Sequence, residues 1–153
     1  MDERISYQDL NPNLLNSVNR VNQYLAQSDL DPKLRELINY RVSQINGCAF
    51  CLDMHHKELI HMGEEELRLH SLPAWQECPF YTRKEKAALA FAEAVTNANK
   101  MDVGDNIYDQ LKEFFSESEI ADLTLAVTQI NVWNRVNKVF RPTPGNYEVG
   151  QFG

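Results

Sequence analysis

Residues 45–55, Ile45-Asn46-Gly47-Cys48-Ala49-Phe50-Cys51-Leu52-Asp53-Met54-His55, place a helix stop, two thiols and an imidazole side by side. Asn46-Gly47 is a stop because glycine takes the left-handed conformation past a helix C-terminus at little cost. Upstream, Pro32 follows Asp31, and Leu34, Leu37, Ile38, Val42 and Ile45 recur at three- and four-residue spacing. This pattern predicts an amphipathic helix from Pro32 to Ile45. Downstream, Ala49, Phe50 and Leu52 surround the thiols with apolar positions and predict a second, buried helix from about Cys48 to His61, stopped by Met62-Gly63. The Cys-x-x-Cys pair is thereby expected at a helix N-terminus.

That placement carries chemistry. The unpaired N–H groups and dipole of a helix start favour anions, so a thiol there ionises below its free pKa of about 8.5. Cys51 and His55 are four residues apart and share one face, on which Cys48, seven residues from His55, also falls. His55 can then act as base or proton shuttle for Cys51.

Further out the signals are helical throughout. Leu14, Leu15, Val18, Val21 and Leu25 mark a helix after Asn11-Pro12 that ends near Ser28. A short helix is expected from Glu64 to about His70, closed by Pro73, with Glu64-Glu65-Glu66 as a solvated first turn. Thr82-x-x-Glu85 and Ser116-x-x-Glu119 are capping boxes that open two longer helices. The first runs through Leu89, Phe91, Ala92 and Val95; the second carries Ile120, Leu123, Val127, Ile130, Trp133 or Asn134, and Val136, and ends at Arg141-Pro142. Asp105 is expected to cap a shorter helix bearing Ile107, Leu111 and Phe114. With no strand-like alternation and no internal repeat, the fold class is all-α. We expect one domain over residues 1–153, a bundle of six or seven helices with its core over 14–144 and a tail from 145 that is mobile or docks on a neighbour.

Composition narrows the function. At 153 residues and 43% hydrophobic, the chain can bury a core without disulfide staples. Its net charge of −7 argues against sequence-independent nucleic-acid binding, which depends on Lys and Arg neutralising phosphates. No stretch approaches the roughly 20 apolar residues of a bilayer span, and the opening Met1-Asp2-Glu3-Arg4 does not read as a leader, so a cytoplasmic location is expected. Three cysteines do not make a disulfide scaffold, and Cys78, before Pro79, reads as a bystander. His56, His61 and His70 read as surface residues.

Glu36, Cys48-x-x-Cys51 and His55, together with residues 41–47 and Asn131-Val132-Trp133-Asn134-Arg135, resemble the alkylhydroperoxidase D (AhpD)-like core of the carboxymuconolactone decarboxylase superfamily. The resemblance covers roughly Leu14 to Pro144. It implies an all-helical fold, peroxidase chemistry on a hydroperoxide substrate, and a homo-oligomer, trimer or hexamer. Carried over by position, Cys51 is the attacking thiol, Cys48 the resolving thiol, and Glu36 and His55 parts of a proton relay. Phe50 stands where well-studied peroxidase members carry a second His. The decarboxylase branch lacks the Cys pair.

Chemistry and resemblance agree on the parts required: a low-pKa thiol, an acid for the leaving oxygen, and a second thiol to trap the sulfenic acid. Which thiol attacks is divided, since the helix end favours Cys48 whereas the imidazole and the resemblance favour Cys51, which is the residue we take. No bound cofactor and no metal ion are expected. A Gly-rich dinucleotide fingerprint is missing, so the reductant would be an external thiol carrier, a thioredoxin-like or lipoyl protein. Three other readings of the same residues stay open: a non-enzymatic redox sensor, a zinc site of Cys48, Cys51 and His55 with Cys78 or His70, or inert buried cysteines with His55 a satisfied core histidine.

Overall fold

Two of the helices begin at a proline preceded by a side chain that caps them. In the computed structural model, which describes residues 2–152, the Asn11 amide oxygen accepts from the Asn13 N–H at 2.9 Å. The Asp31 carboxylate accepts from Leu34 N–H at 2.8 Å. Pro12 and Pro32 supply the first helical residue, where a missing N–H costs nothing. The chain then builds α1 (Pro12–Ala26), α2 (Pro32–Asn46), α3 (Ala49–His61), α4 (Glu66–Ser71), α5 (Arg83–Thr96), α6 (Asp105–Lys112) and α7 (Glu117–Phe140). Short 3-10 turns cover Tyr7–Asp9 and Leu72–Ala74, and no strand occurs among the described residues.

Helix α2 is central and packs most extensively against α3 and α7, then against α5. Leu37, Ile38 and Val42 of α2 are buried against Leu59, Leu89, Leu123 and Val127 from these neighbours. Each such side chain contributes about 1.5–3 kcal/mol by leaving water. A polar tie lies between the layers: Arg41 Nε on α2 meets Glu93 Oε1 on α5 at 2.7 Å, and Trp75 Nε1 donates to the same oxygen at 2.8 Å.

The α2–α3 connection is two residues, Gly47 and Cys48. Gly47 takes φ +62°, its N–H donates to Gln44 O at 3.2 Å, and the Cys48 N–H donates to Ser43 O at 3.1 Å. This Schellman pattern satisfies the last carbonyls of α2. Cys48 is in the same stroke the N-cap of α3, its sulfur accepting the Cys51 N–H at 3.4 Å. Lys138 of α7 reaches over the junction and donates to Asn46 O at 3.0 Å and Gly47 O at 3.3 Å.

Both capping boxes form as the sequence indicates, at Thr82/Glu85 and Ser116/Glu119. Three local expectations are corrected. Glu64 is not a solvated helix residue: α4 begins at Glu66, and the Glu64 carboxylate is buried, bound by Arg68 Nε at 2.8 Å and by Lys33 Nζ of α2 at 3.7 Å. Gly104, not Asp105, is the N-cap of α6; Asp105 is its first residue, and Phe114 lies beyond its end. The tail docks on its own α3, with Gly145 N–H donating to Asp53 at 2.8 Å and Lys57 Nζ donating to Gly145 O and Tyr147 O at 3.0 Å.

Replacing Gly47 by Ala should lower the unfolding free energy by about 1–2 kcal/mol, the cost of left-handed backbone for a residue with a Cβ. Gly47→Asn should cost less, since Asn tolerates that region. Urea melts of the two variants decide the point: an Ala variant as stable as the parent would mean that the left-handed link does not set the junction.

Candidate functional site

The junction delivers the pair and the helices deliver their companions. Cys48 and Cys51 are joined as a disulfide, Cα to Cα 5.3 Å, and both are almost fully buried. One turn further along α3, His55 is also buried, and its Nδ1 bonds the Glu36 carboxylate of α2. The structure thus brings Glu36 against His55 across the α2–α3 hairpin, on the helix that carries the disulfide. An isolated glutamate is usually exposed; Glu36 is 9% exposed.

Burial pushes the Glu36 carboxyl up, but the charge and hydrogen bond of His55, a 3.2 Å bond from Asn39 Nδ2 and the charge of Arg35 outweigh it, so its pKa is lowered. An ionised carboxylate only accepts, so Nδ1 of His55 is the donor. Nε2 then points away from Glu36. It is buried and has no hydrogen-bond partner.

His55 lines a cavity of about 440 Å³. Its wall is partly apolar, with Leu25, Phe50, Met54, Ile130 and Trp133, and partly the polar group Tyr7, Glu36 and Asn137. The tail completes the enclosure: Phe152 lies 6.4 Å from Phe50 and 5.7 Å from Tyr147, ring centre to ring centre, and both tail rings line the cavity. Tyr147 OH bonds Glu58, and Gly150 N–H donates to the same oxygen at 3.0 Å. Burial first, then the Glu58 hydrogen bond and charge, pushes the Tyr147 phenol above its usual range, so it remains a donor. Phe50, between the two cysteines in sequence, supplies apolar wall to this cavity.

Sequence reasoning missed Tyr7, Asn137 and the tail rings. Asn137 Nδ2 donates to Cys51 Sγ at 3.4 Å, and its Oδ1 accepts from Tyr7 OH. The available signal was the Asn131, Asn134, Asn137 spacing of three along the apolar stripe of α7. Asn134 is fully buried, donating to Ser43 Oγ at 3.0 Å and accepting from Asn46 at 2.9 Å. Cys78 is half-buried with Sγ 3.9 Å from Ser71 O, and His61 and His70 are exposed. His56 is half-buried and 3.4 Å from Glu66. Among the described residues, no cluster of three or more His, Cys, Asp or Glu is arranged to hold a metal ion. Likewise no described helix is long and apolar enough to cross a membrane.

An all-helical bundle with Cys-x-x-Cys at a helix start and a Glu–His pair beside it defines an AhpD-like fold. The chain belongs to the carboxymuconolactone decarboxylase family, whose model matches residues 12–94. It is 42% identical to the uncharacterized protein YdfG of Bacillus subtilis over 137 residues, 90% of this chain and 93% of that one. A crystal structure of ATU0492 superposes with a TM-score of 0.91 at 36% identity, covering 95% of this chain and all of the other. ATU0492 is a protein of unknown function from Agrobacterium tumefaciens placed provisionally with the antioxidant defence protein AhpD. A peroxidase-related protein from Silicibacter sp. TM1040 superposes with a TM-score of 0.79 at 25% identity, covering 94% of this chain and 76% of that one.

The lowered Glu36 pKa fixes a pH dependence. A depressed folded-state pKa contributes stability that is fully present above the ordinary value of 4.5 and is lost as pH falls through the lower folded value. At neutral pH, Glu36→Gln should be less stable than the parent by about 1.5–3 kcal/mol, the range for a hydrogen bond to a charged group. That difference should shrink on acidification below 4.5. Chemical denaturation of both proteins across pH measures it, and a gap that stays constant or widens in acid would contradict the ionised pair.

Proposed function

We propose that this protein is a thiol-dependent oxidoreductase that reduces organic hydroperoxides through a Cys48/Cys51 dithiol–disulfide cycle assisted by Glu36 and His55. The observation that carries the reading is His55: Glu36 holds one ring nitrogen, and the other is buried and unpartnered in a residue that lines the cavity. A buried polar atom left without a partner is costly, and a site that binds a polar group there recovers the loss.

The chemistry balances with these residues. In the reduced protein, Nε2 of His55 takes the Cys51 thiol proton, and Glu36 stabilises the imidazolium that results. The thiolate attacks the terminal oxygen of ROOH, an S–O bond forms, the O–O bond breaks, and the leaving alkoxide takes the proton back from Nε2. Cys51 is then a sulfenic acid and the product is ROH. The Cys48 thiol attacks that sulfur, the disulfide forms, and the sulfenic oxygen leaves as water. An external dithiol, a thioredoxin-like or lipoyl protein, returns two electrons and two protons by thiol–disulfide exchange. The apolar wall of Leu25, Phe50, Met54, Ile130, Trp133 and Phe152 supports a substrate with an apolar body over hydrogen peroxide.

Turnover with a chemical dithiol as reductant tests the assignment. Cys51→Ser should abolish peroxide consumption. Cys48→Ser, pre-reduced and freed of dithiol, should consume about one equivalent and stop at a sulfenic acid that dimedone traps on Cys51. Cumene hydroperoxide should exceed hydrogen peroxide in kcat/KM by at least about tenfold, which needs about 1.4 kcal/mol of extra apolar contact in the transition state. Turnover surviving in Cys51→Ser, or a parent protein that reacts once and is not recycled by dithiol, would contradict the enzyme reading; the second outcome is that of a sensor.

A further inference from the structure

Both sulfurs of the pair accept a hydrogen bond, but from different sources. Cys48 Sγ, at the N-cap, takes the Cys51 backbone N–H at 3.4 Å, as any capping atom would. Cys51 Sγ takes the Asn137 side-chain N–H at 3.4 Å, from a different helix. We infer that Asn137, locked in orientation by Tyr7, is the positioning group that stabilises the Cys51 thiolate and selects Cys51 over Cys48 as the attacking thiol. This rests on the proposed cycle for its purpose, but its test reads thiol ionisation, so a protein without peroxide turnover would still test it.

Three features of the contact support the role. An amide can present either its oxygen or its nitrogen to the sulfur, and a thiolate accepts only from nitrogen. The Tyr7 hydroxyl donates to Asn137 Oδ1 while Nδ2 faces Cys51, the amide orientation that a thiolate requires. Burial pushes the Tyr7 phenol up to about 12, so it keeps the proton that it gives to Asn137 across the working pH range. The arrangement is also built from both ends of the chain. Arg4 N–H donates to Phe140 O at 2.8 Å and Ile5 N–H to the same oxygen at 3.3 Å, and the Tyr7 ring packs edge-on against Phe140 at 5.5 Å. The N-terminal segment is thus fixed to the end of α7 with Tyr7 over Asn137. Asn137 is 6% exposed, so the N–H it gives the sulfur does not compete with bulk water.

The charged groups named here on the surrounding elements have other partners. Glu36 of α2 is bound to His55 of α3. Arg35 of α2 donates to Leu25 O, and Arg41 holds Glu93. On α3, Asp53 meets Lys57 at 2.8 Å and Glu58 accepts from Tyr147. On α7, Lys138 holds the Asn46 and Gly47 carbonyls. Among the described side chains, Asn137 is the one that bonds Cys51 Sγ, and it adds to the helix start that both sulfurs share.

The experiment is a pH titration of ultraviolet thiolate absorbance in two backgrounds, Cys48→Ser, which isolates Cys51, and Cys51→Ser, which isolates Cys48, each with Cys78→Ser. In the first, Asn137→Leu should raise the thiolate midpoint by one pH unit or more, tenfold less thiolate at a pH below the midpoint. Tyr7→Phe, which removes one oxygen, should raise it by about half a unit, roughly threefold less. Neither change should move the Cys48 midpoint by more than a fraction of that. An unmoved Cys51 midpoint in a Tyr7→Phe protein of unchanged circular dichroism would overturn the inference, as would equal shifts at both thiols. Should Asn137→Leu fail to fold, Tyr7→Phe and the isosteric Asn137→Asp, whose carboxylate should raise the midpoint further, still decide it.

Discussion

Gly47 and the N-cap Cys48 are all that joins α2 to α3, and the geometry of the site follows from the left-handed turn at Gly47. Because the stop of α2 and the start of α3 share it, Cys48 has to be an N-cap and Cys51 has to lie in the first turn. The reversal also lays α3 back along α2, which lets Glu36, nineteen residues before His55, meet its imidazole. A longer connection would have left both helix ends and the pair free to shift. Here the C-terminal carbonyls of α2 are bound by Gly47, Cys48 and Lys138, and the Cys51 N–H in the first turn of α3 bonds Cys48 Sγ.

Buried polarity makes this frame specific. A core of Leu, Ile and Val would tolerate small slips of one helix along another, whereas a chain of satisfied hydrogen bonds does not. Along α7, Asn131 and Asn134 both accept from Asn46 at 2.9 Å, Asn134 donates to Ser43, and Asn137 reaches Cys51. These bonds run from the tip of α2 to the sulfur and fix the register of α7 against the α2–α3 junction. Leaving any one member unpaired would cost about 1–3 kcal/mol. The same side chains therefore serve stability and the environment of the thiol.

How much of this was legible in the sequence depended on the range of each interaction. Helix starts and stops are local, and the prolines after Asn11 and Asp31, both capping boxes and the Gly47 stop all carried their message within four residues. The all-α class and the thiol pair at a helix start followed from those signals. Glu36 became a site candidate through the family resemblance, since nothing about a lone glutamate in an amphipathic helix marks it as buried. Glu64 was misjudged for the same reason in reverse: an acidic run reads as solvated, yet Lys33 of α2 reaches it from thirty-one positions upstream and Arg68 holds it from the next turn. Tyr7 and Asn137 are 130 residues apart, and the tail rings reach Phe50 only after the chain has folded back on α3. Spacing along the chain has no access to such pairings. Asp105 failed locally, because Gly104 takes the extended cap conformation itself and leaves Asp105 inside the first turn.

The central claim is that Cys48 and Cys51 act as one two-electron unit within this frame. Its most direct test adds one equivalent of cumene hydroperoxide to the fully reduced protein and follows thiol state by peptide mass mapping. The account predicts loss of two hydrogens confined to the peptide bearing Cys48 and Cys51, as an intramolecular disulfide, with the Cys78 thiol intact. Unreacted Cys48 and Cys51, or oxidation that falls first on Cys78, would contradict it.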